Sequence, residues 1–241
     1  LFQEIDRYNS LVRAMRASLK SLQRGIQGLV VITPELEAVF AALLTGRVPE
    51  AWGFCYPSLK PLGPWMRDLR DRMGQIKSWA DVGPPPVCWL GGITYPTSYF
   101  TALLQTKSRA AGVAINELTF SYIILEEAAE DITTGPDDGA YIRGLFLEGA
   151  GWNIDGAHLD EPEPMQLTCA MPVIHFHPRE MRKGGRKDRD SLYECPLYLY
   201  PIRTGTRERP SFMSYVDLNS GSKPSSFWIK RGTALLLSLA T

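Results

Sequence analysis

The sequence has 241 residues, of which 44% are hydrophobic and 22% charged, a composition that excludes disorder of the whole chain. Lys and Arg total 26, as do Asp and Glu, so the formal net charge is zero. No overall field therefore favours nucleic acid or an anionic membrane surface, and neither is expected as a partner.

Cysteine spacing and hydropathy limit the cellular compartments in which this protein is expected. The four cysteines stand at positions 55, 88, 169 and 195, without a CxxC pair, so reduced thiols in the cytoplasm are expected. No apolar run approaches the roughly 18 residues that span a bilayer, and the N-terminus lacks a signal-peptide pattern. The sequence starts without Met inside a helical pattern, which suggests a fragment of a longer protein.

The first element predicted is a long helix. Eight apolar residues recur at alternating steps of four and three, and they share one face of that helix: Leu1, Ile5, Tyr8, Val12, Met15, Leu19, Leu22 and Ile26. Gly28 is a stop signal. This face either packs lengthwise on a neighbouring surface or forms an isolated coiled coil.

Three further helices follow in the first half. Thr33 and Pro34 provide an N-cap and a first helical position for a helix that ends near Gly46. Apolar residues at helical spacing predict another helix from about 62 to 79, before three consecutive prolines at 84–86. The last helix is predicted over 96–111, with Gly112 as its end.

From about Leu118 the apolar period changes from near 3.6 to near 2, which indicates strands. Six candidate strands cover residues 119–125, 140–147, 171–177, 197–200, 212–218 and 228–239. Both faces of the segment 140–147 are largely apolar, which is typical of a central strand. The fold class predicted is α+β, with a helical subdomain at 1–117 and a six-stranded, mostly antiparallel β-barrel-like subdomain at 118–241.

Sequence motifs for nucleotide binding, metal binding and catalysis are weak in this sequence. No Gly-Lys dipeptide occurs, so a Walker-type phosphate loop is absent. His175 and His177 share one face of a predicted strand, but with two distant cysteines they make a weak zinc pattern, and no metal is expected. No GxSxG elbow occurs either. No catalytic, cofactor-binding or metal-ligating residue is assigned.

A basic run at 179–190 has two central glycines and predicts an exposed, mobile hairpin loop. Its six cations are Arg179, Arg182, Lys183, Arg186, Lys187 and Arg189. Contact with a filament or a nucleic acid through this charge is an open alternative, although no aromatic residues are interleaved for base stacking.

A series of segments then stands in a recognisable order: QEIDRYNSLVRAMRASLKSLQRGIQG at 3–28, TPELE at 33–37, YPSLKPL at 56–62, GLFLEGAGW at 144–152, MPVI at 171–174, YECPLY at 193–198 and WIKRGTALLL at 228–237. Together these resemble the C-terminal region of dynein heavy chains across essentially the whole sequence. GLFLEGAGW and YECPLY are more similar to axonemal than to cytoplasmic dyneins.

The resemblance implies a non-catalytic structural and regulatory module that docks on the ring of six AAA+ modules in the same heavy chain. It also implies microtubules and other dynein subunits as partners of the parent, ATP and Mg as the parent's cofactors, and a location in the cytoskeleton of a cilium or flagellum, the axoneme. It allows the end of the last AAA+ module to lie within 1–117. The candidate ring-docking residues are Ile5, Tyr8, Val12, Met15, Leu19 and Leu22. Two alternatives stay open: a ligand-binding barrel or minor hydrolase, and a filament-binding module that uses the loop at 179–190.

Overall fold

The computed structural model describes residues 1–53, 58, 60–181, 191–199 and 211–237. In these ranges the protein forms six α-helices: α1 (Phe2–Ile26), α2 (Pro34–Leu44), α3 (Glu50–Gly53), α4 (Leu62–Asp81), α5 (Pro96–Ala111) and α6 (Ser225–Arg231). Local capping explains several bounds. Thr33 Oγ1 accepts a hydrogen bond from the Leu36 amide at 3.4 Å, and Gly112 ends α5 in the left-handed conformation.

Eleven strands lie in the same described ranges: β1 (Val87–Trp89), β2 (Leu118–Ile124), β3 (Ala140–Arg143), β4 (Phe146–Glu148), β5 (Gly151–Asn153), β6 (His158–Asp160), β7 (Thr168–Ala170), β8 (Ile174–Glu180), β9 (Leu192–Leu199), β10 (Ser211–Asn219) and β11 (Ala234–Leu236). They form a four-stranded sheet in the order β1-β3-β8-β2, a five-stranded sheet in the order β10-β9-β11-β4-β7, and the β5-β6 pair. Pairing is antiparallel except between β1 and β3 and between β11 and β9.

The α+β class is confirmed, whereas the six-stranded barrel is not. The edge strands β2 and β10 come together where Tyr122 Oη donates a hydrogen bond to the Tyr215 carbonyl at 2.5 Å. In the described residues these two edges share no ladder of backbone hydrogen bonds, and the sheets do not close into one barrel.

The predicted strand at 140–147 is wrong as a single strand, because Gly144 divides it. Gly144 has a φ of +82°, and a Cβ at this position would lie 2.4 Å from Cδ1 of Trp89, so only glycine fits. The backbone turn places β3 in the four-stranded sheet and β4 in the five-stranded sheet. Each half is nevertheless an interior strand, with Ile142 and Leu147 fully buried.

The predicted strand at 228–239 is wrong in its first half. Residues Ser225–Arg231 form α6, which begins after Pro224 and ends at Gly232 in the left-handed conformation. Trp228 is fully buried, and its indole Nε1 donates a hydrogen bond to the Ser220 carbonyl at 3.0 Å. Burial of this side chain therefore selects a helix where the apolar run by itself predicts a strand.

Two clusters of buried apolar side chains hold the fold together. The smaller one joins α1, α3 and α4 through Tyr8, Leu11, Trp52, Trp65, Leu69 and Ile76. The larger one contains side chains of α5 and α6 and of the sheets, including strand β1. Trp79 of α4 packs against both clusters. Helix α5, from the predicted helical subdomain, thus packs with the sheets. The domain boundary at 117/118 stays a prediction.

A search of the helices in the described part of the protein finds none that combines the length and the hydropathy of a membrane span.

Candidate docking surface on the first helix

The inward face of α1 is rotated by about one residue from the predicted stripe. Buried or half-buried positions recur at helical spacing and are Glu4, Tyr8, Leu11, Met15, Ser18, Leu22 and Gly25. Ser18 faces inward because its Oγ accepts a hydrogen bond from the Trp52 indole Nε1 at 3.0 Å. Leu19 is instead 42% exposed. The apolar pattern alone does not reveal this rotation, because a serine and a glutamate occupy inward positions.

Glu4 fastens α1 to the start of α5. Its side chain is 5% exposed, and its two oxygens accept hydrogen bonds from the amides of Thr94 and Tyr95, each at 2.8 Å. A carboxylate is favourable there because the unpaired amides at a helix N-terminus carry partial positive charge. Sequence reasoning missed Glu4. Its spacing from Tyr8 and Leu11, four and then three residues, is the signal that could have found it.

A second set of contacts ties both α1 and α4 to residues 89–95. Tyr8 Oη donates to the Gly92 carbonyl at 3.1 Å, and the Gln75 side-chain amide bonds both backbone groups of Trp89, at 2.8 and 3.1 Å. The Arg72 guanidinium lies 5.2 Å from the centre of the Trp89 ring, within cation–π range. Burial raises the pKa of Tyr8, while the nearby Arg72 opposes that rise. Tyr8 therefore stays a neutral hydrogen-bond donor.

The six candidate docking residues do not share one environment. Tyr8 and Leu22 are buried inside the domain, at 6% and 7% exposure. Met15 is half-buried and packs on the smaller core. Ile5 and Val12 are half-buried, and only Leu19 is classed as exposed.

An apolar flank, defined as Leu1, Ile5, Val12, Leu19 and Ile26, runs along one side of the inward face of α1. Ile26 is 67% exposed, and the segment just after the helix exposes Leu29, Val31 and Ile32 as well. Ile5 and Val12 of the flank are half-buried, and Ile5 packs on the smaller core, whereas Leu1, Leu19 and Ile26 are exposed. Exposed apolar side chains grouped in this way fit a protein–protein contact. Docking on the ring through this flank stays a prediction.

The predicted basic loop lies mostly outside the described residues. Arg182, Lys183, Arg186, Lys187 and Arg189 belong to that part. Arg179 lies within β8, where it pairs with Thr119, so it is part of the sheet and not of a loop. Its Nε is buried and has no hydrogen-bond partner among the described residues.

The described side chains that could bind a metal ion or act as nucleophiles are either too far apart or protonated. Among the described residues, no group of three or more His, Cys, Asp or Glu is placed to bind a metal ion. His175 Nε2 makes a hydrogen bond of 2.8 Å with the Asp138 carbonyl. Burial raises the pKa of the Cys88 thiol to about 12 and also raises that of Cys195, so both thiols are poor nucleophiles.

An apolar cleft among the described residues lies beside α5. It has a volume of about 560 Å³ and lies between α1, the end of α4 and α5, with Trp79, Pro85, Tyr95 and Tyr99 among its walls. Burial raises the pKa of Tyr99, whose hydroxyl is hydrogen-bonded to the Cys88 thiol. The cleft thus offers apolar walls, a neutral phenol and the Glu4 carboxylate, which is held by the amides of Thr94 and Tyr95.

Comparison with known proteins agrees with the resemblance seen in the sequence. A family model described as the C-terminal domain of the dynein heavy chain matches residues 1–237. The sequence is 54% identical over 241 residues to the Dynein-1-beta heavy chain, flagellar inner arm I1 complex, of Chlamydomonas reinhardtii, a match that includes all of this chain and 5% of that protein.

Animal relatives are also similar over nearly the whole chain. Dynein axonemal heavy chain 2 of Mus musculus is 47% identical over 240 residues, which covers 99% of this chain and 5% of the relative. Dynein axonemal heavy chain 1 of Homo sapiens is 36% identical over 244 residues, with 99% and 6% covered. This chain thus spans about one twentieth of the length of the curated relatives it matches. It belongs to the family formed by the C-terminal domains of dynein heavy chains, of the axonemal type found in cilia and flagella.

Proposed function

We propose that this domain is a non-catalytic module that docks on the AAA+ ring of its own heavy chain and modulates ATP-driven movement along microtubules. The observation that carries the proposal is the apolar flank of α1, in which Leu1, Leu19 and Ile26 are exposed, together with the exposed Leu29, Val31 and Ile32 just after the helix. Burying these side chains against a second surface is favourable by about 25 cal/mol for each Å² of apolar area removed from water. The helical part of the domain is therefore the docking side.

The internal contacts of α1 explain how such docking acts on the rest of the domain. Glu4 and Tyr8 fix the helix to residues 92–95, which lead directly into α5 and the sheets. A displacement of α1 on the ring is thereby transmitted to the larger core. Regulation of this kind requires contacts that differ between two states of the ring.

The proposed setting is the axoneme, where the parent heavy chain acts as a microtubule motor with ATP and Mg as its cofactors and with other dynein subunits as partners. The Chlamydomonas reinhardtii relative is named as a member of the flagellar inner arm I1 complex. An inner-arm complex is accordingly the proposed assembly.

The test uses the full-length heavy chain. Leu19→Asp combined with Ile26→Asp places two charges in the apolar flank, and burying an unpaired charge is strongly unfavourable. We expect the domain to leave the ring, so that limited proteolysis releases it faster and the velocity of ATP-driven microtubule gliding changes.

A matched control carries the same charge change on another helix. Thr101→Asp with Gln105→Asp alters two exposed positions of α5, which belong neither to the apolar flank nor to α1. This variant is expected to behave as the wild type in both assays. Unchanged proteolysis and gliding in the Leu19/Ile26 variant would refute the docking proposal.

The alternatives identified in the sequence gain less support. A hydrolytic role would need a free nucleophile or general base at the cleft beside α5, where the single lining carboxylate among the described residues, Glu4, is engaged by the Thr94 and Tyr95 amides. A ligand-binding role would need only the apolar cleft itself. A filament-binding role rests on residues 182–190, which lie outside the described residues. Both stay predictions.

A further inference from the structure

Four cationic side chains form a basic ridge on the side of α1 opposite its buried face: Arg13, Arg16, Lys20 and Arg24. All four are exposed. Their spacing of three, four and four residues aligns them along the helix for about 16 Å. The ridge therefore extends over about three helical turns.

Nothing among the described residues neutralises the ridge. The sequence gives α1 only two carboxylates, Glu4 and Asp6, and Glu4 is buried against the start of α5. Across the part of the protein that the structure describes, no carboxylate lies within 4.0 Å of any of the four cations. Like charges at i and i+4, as in Arg16, Lys20 and Arg24, repel each other. The ridge thus costs the helix stability unless a partner supplies negative charge.

The position of the ridge restricts what that partner is. The apolar flank adjoins the ridge over the C-terminal half of the helix, where Leu19 stands beside Lys20. A surface that covers both must present an apolar strip next to a row of carboxylates. A nucleic acid would leave the apolar flank in water, and the ridge offers no aromatic side chains on which bases could stack.

We infer that the basic ridge of α1 binds a row of carboxylates on the surface of the heavy chain's own AAA+ ring. This inference rests on the proposed docking, because the ring surface that covers the apolar flank also reaches the ridge. The apolar contact supplies most of the affinity, and the charges fix the orientation of α1 and disfavour wrong positions.

Lys20 makes the inference testable in the full-length heavy chain, because it is the single lysine of α1. A zero-length carbodiimide joins an amine to a carboxylate only when the two are in contact, forming an amide. We expect a cross-link between Lys20 and an Asp or Glu of the ring, identified by mass spectrometry. Lys20→Arg keeps the charge but removes the amine, so it must lose this cross-link.

The second part of the experiment measures how the yield of the Lys20 cross-link depends on salt concentration. The screening length falls from about 10 Å at about 0.1 M salt to about 3 Å at about 1 M. The yield of the Lys20 cross-link should fall roughly tenfold over this range, as expected for several exposed ion pairs acting together. A yield that does not change with salt would overturn the inference, and so would a cross-link to tubulin carboxylates instead of the ring.

The outcome separates this inference from the docking proposal. If Lys20 forms no cross-link to the ring while Leu19→Asp with Ile26→Asp still alters proteolysis and gliding, the carboxylate partner is refuted and docking stands. If Lys20 forms no cross-link and those substitutions change nothing, both are refuted.

Discussion

The helical and β parts of this domain bury their apolar residues to very different extents. Among the described residues, the larger cluster, around the sheets and α5, contains 22 buried residues, whereas the smaller cluster between α1, α3 and α4 contains six. Large exposed apolar side chains occur in both parts, such as Phe2 at 85% and Leu44 at 74% on the helices and Met165 at 101% and Leu167 at 84% in the β part. The difference between the two parts therefore lies in the size of the buried core, and the helical part has less internal packing to hold it in place.

The largest expected effect comes from deleting one fully buried indole in each part. Trp65 stacks on Trp52 with 6.1 Å between ring centres, and Trp228 fills the larger cluster. Replacing either with Ala should cost about 4 kcal/mol of unfolding free energy. Trp65→Ala should loosen the helices alone, whereas Trp228→Ala should loosen both parts, because the helices are anchored on residues 89–95.

Segment-resolved hydrogen exchange measures this difference directly. If both variants lost protection equally across the helices and the sheets, the idea that the two parts differ in how far they depend on each other would be wrong.

A somewhat smaller effect is expected from cutting the link between the parts. Glu4→Ala removes two charge-assisted hydrogen bonds and leaves the Thr94 and Tyr95 amides without their acceptor. The expected cost is about 3 kcal/mol, measured by chemical denaturation. Asp6→Ala, at an exposed position of the same helix, is the control and should cost less than about 0.5 kcal/mol. A similar loss in both variants would argue against a specific role for Glu4.

Placing one negative charge at Met15 and, in a second variant, at Leu19 distinguishes the inward face of α1 from its apolar flank. Met15→Asp should destabilise the purified domain by about 2 kcal/mol, because the half-buried Met15 packs on the smaller core. Leu19→Asp should cost less than about 0.5 kcal/mol there, since Leu19 is exposed. Thermal unfolding of the two variants decides the matter, and an equally large cost for Leu19→Asp would place that side chain in the core.

The last effect is confined to alkaline pH and is a pH dependence that belongs to the β part. Burial raises the pKa of Cys88 from its ordinary value of 9.0 to about 12, so the thiol ionises more readily in the unfolded protein. Its contribution to stability is full below pH 9.0 and is lost as pH rises towards 12. For one group the free energy of unfolding falls by about 1.4 kcal/mol per pH unit. Cys88→Ala should reduce this slope, and an unchanged slope would exclude Cys88 as its source.

Local signals in the sequence were sufficient for most of the helices. The Thr33-Pro34 start, the stop at Gly112 and the long apolar period of α1 each depend on neighbours within a turn, so they are legible without tertiary structure. Strand β2 was also placed to within one residue, at Leu118–Ile124 against the predicted 119–125. Short strands such as β1, with three residues, carry too little pattern to be found.

The candidate site was predicted only in outline. The sequence located the helix and its apolar character, and it named Tyr8 and Leu22 as candidate ring-docking residues, whereas both are buried inside the domain. The inward rotation depends on the bond from Trp52 to Ser18 and on the Glu4 contacts with residues 94 and 95, which join residues far apart in the sequence. The basic ridge is visible in the sequence only once the inward face is known.

The sequence by itself determined the family, the α+β class and the positions of the longer helices, because these follow from local period, caps and ordered motifs. Tertiary structure decided that Gly144 splits one apolar run between two sheets, since Trp89 leaves room for no side chain there. It also decided which side of α1 is free to meet a partner. A helix has apolar residues on more than one side, and only the packing of its neighbours selects the side that is buried.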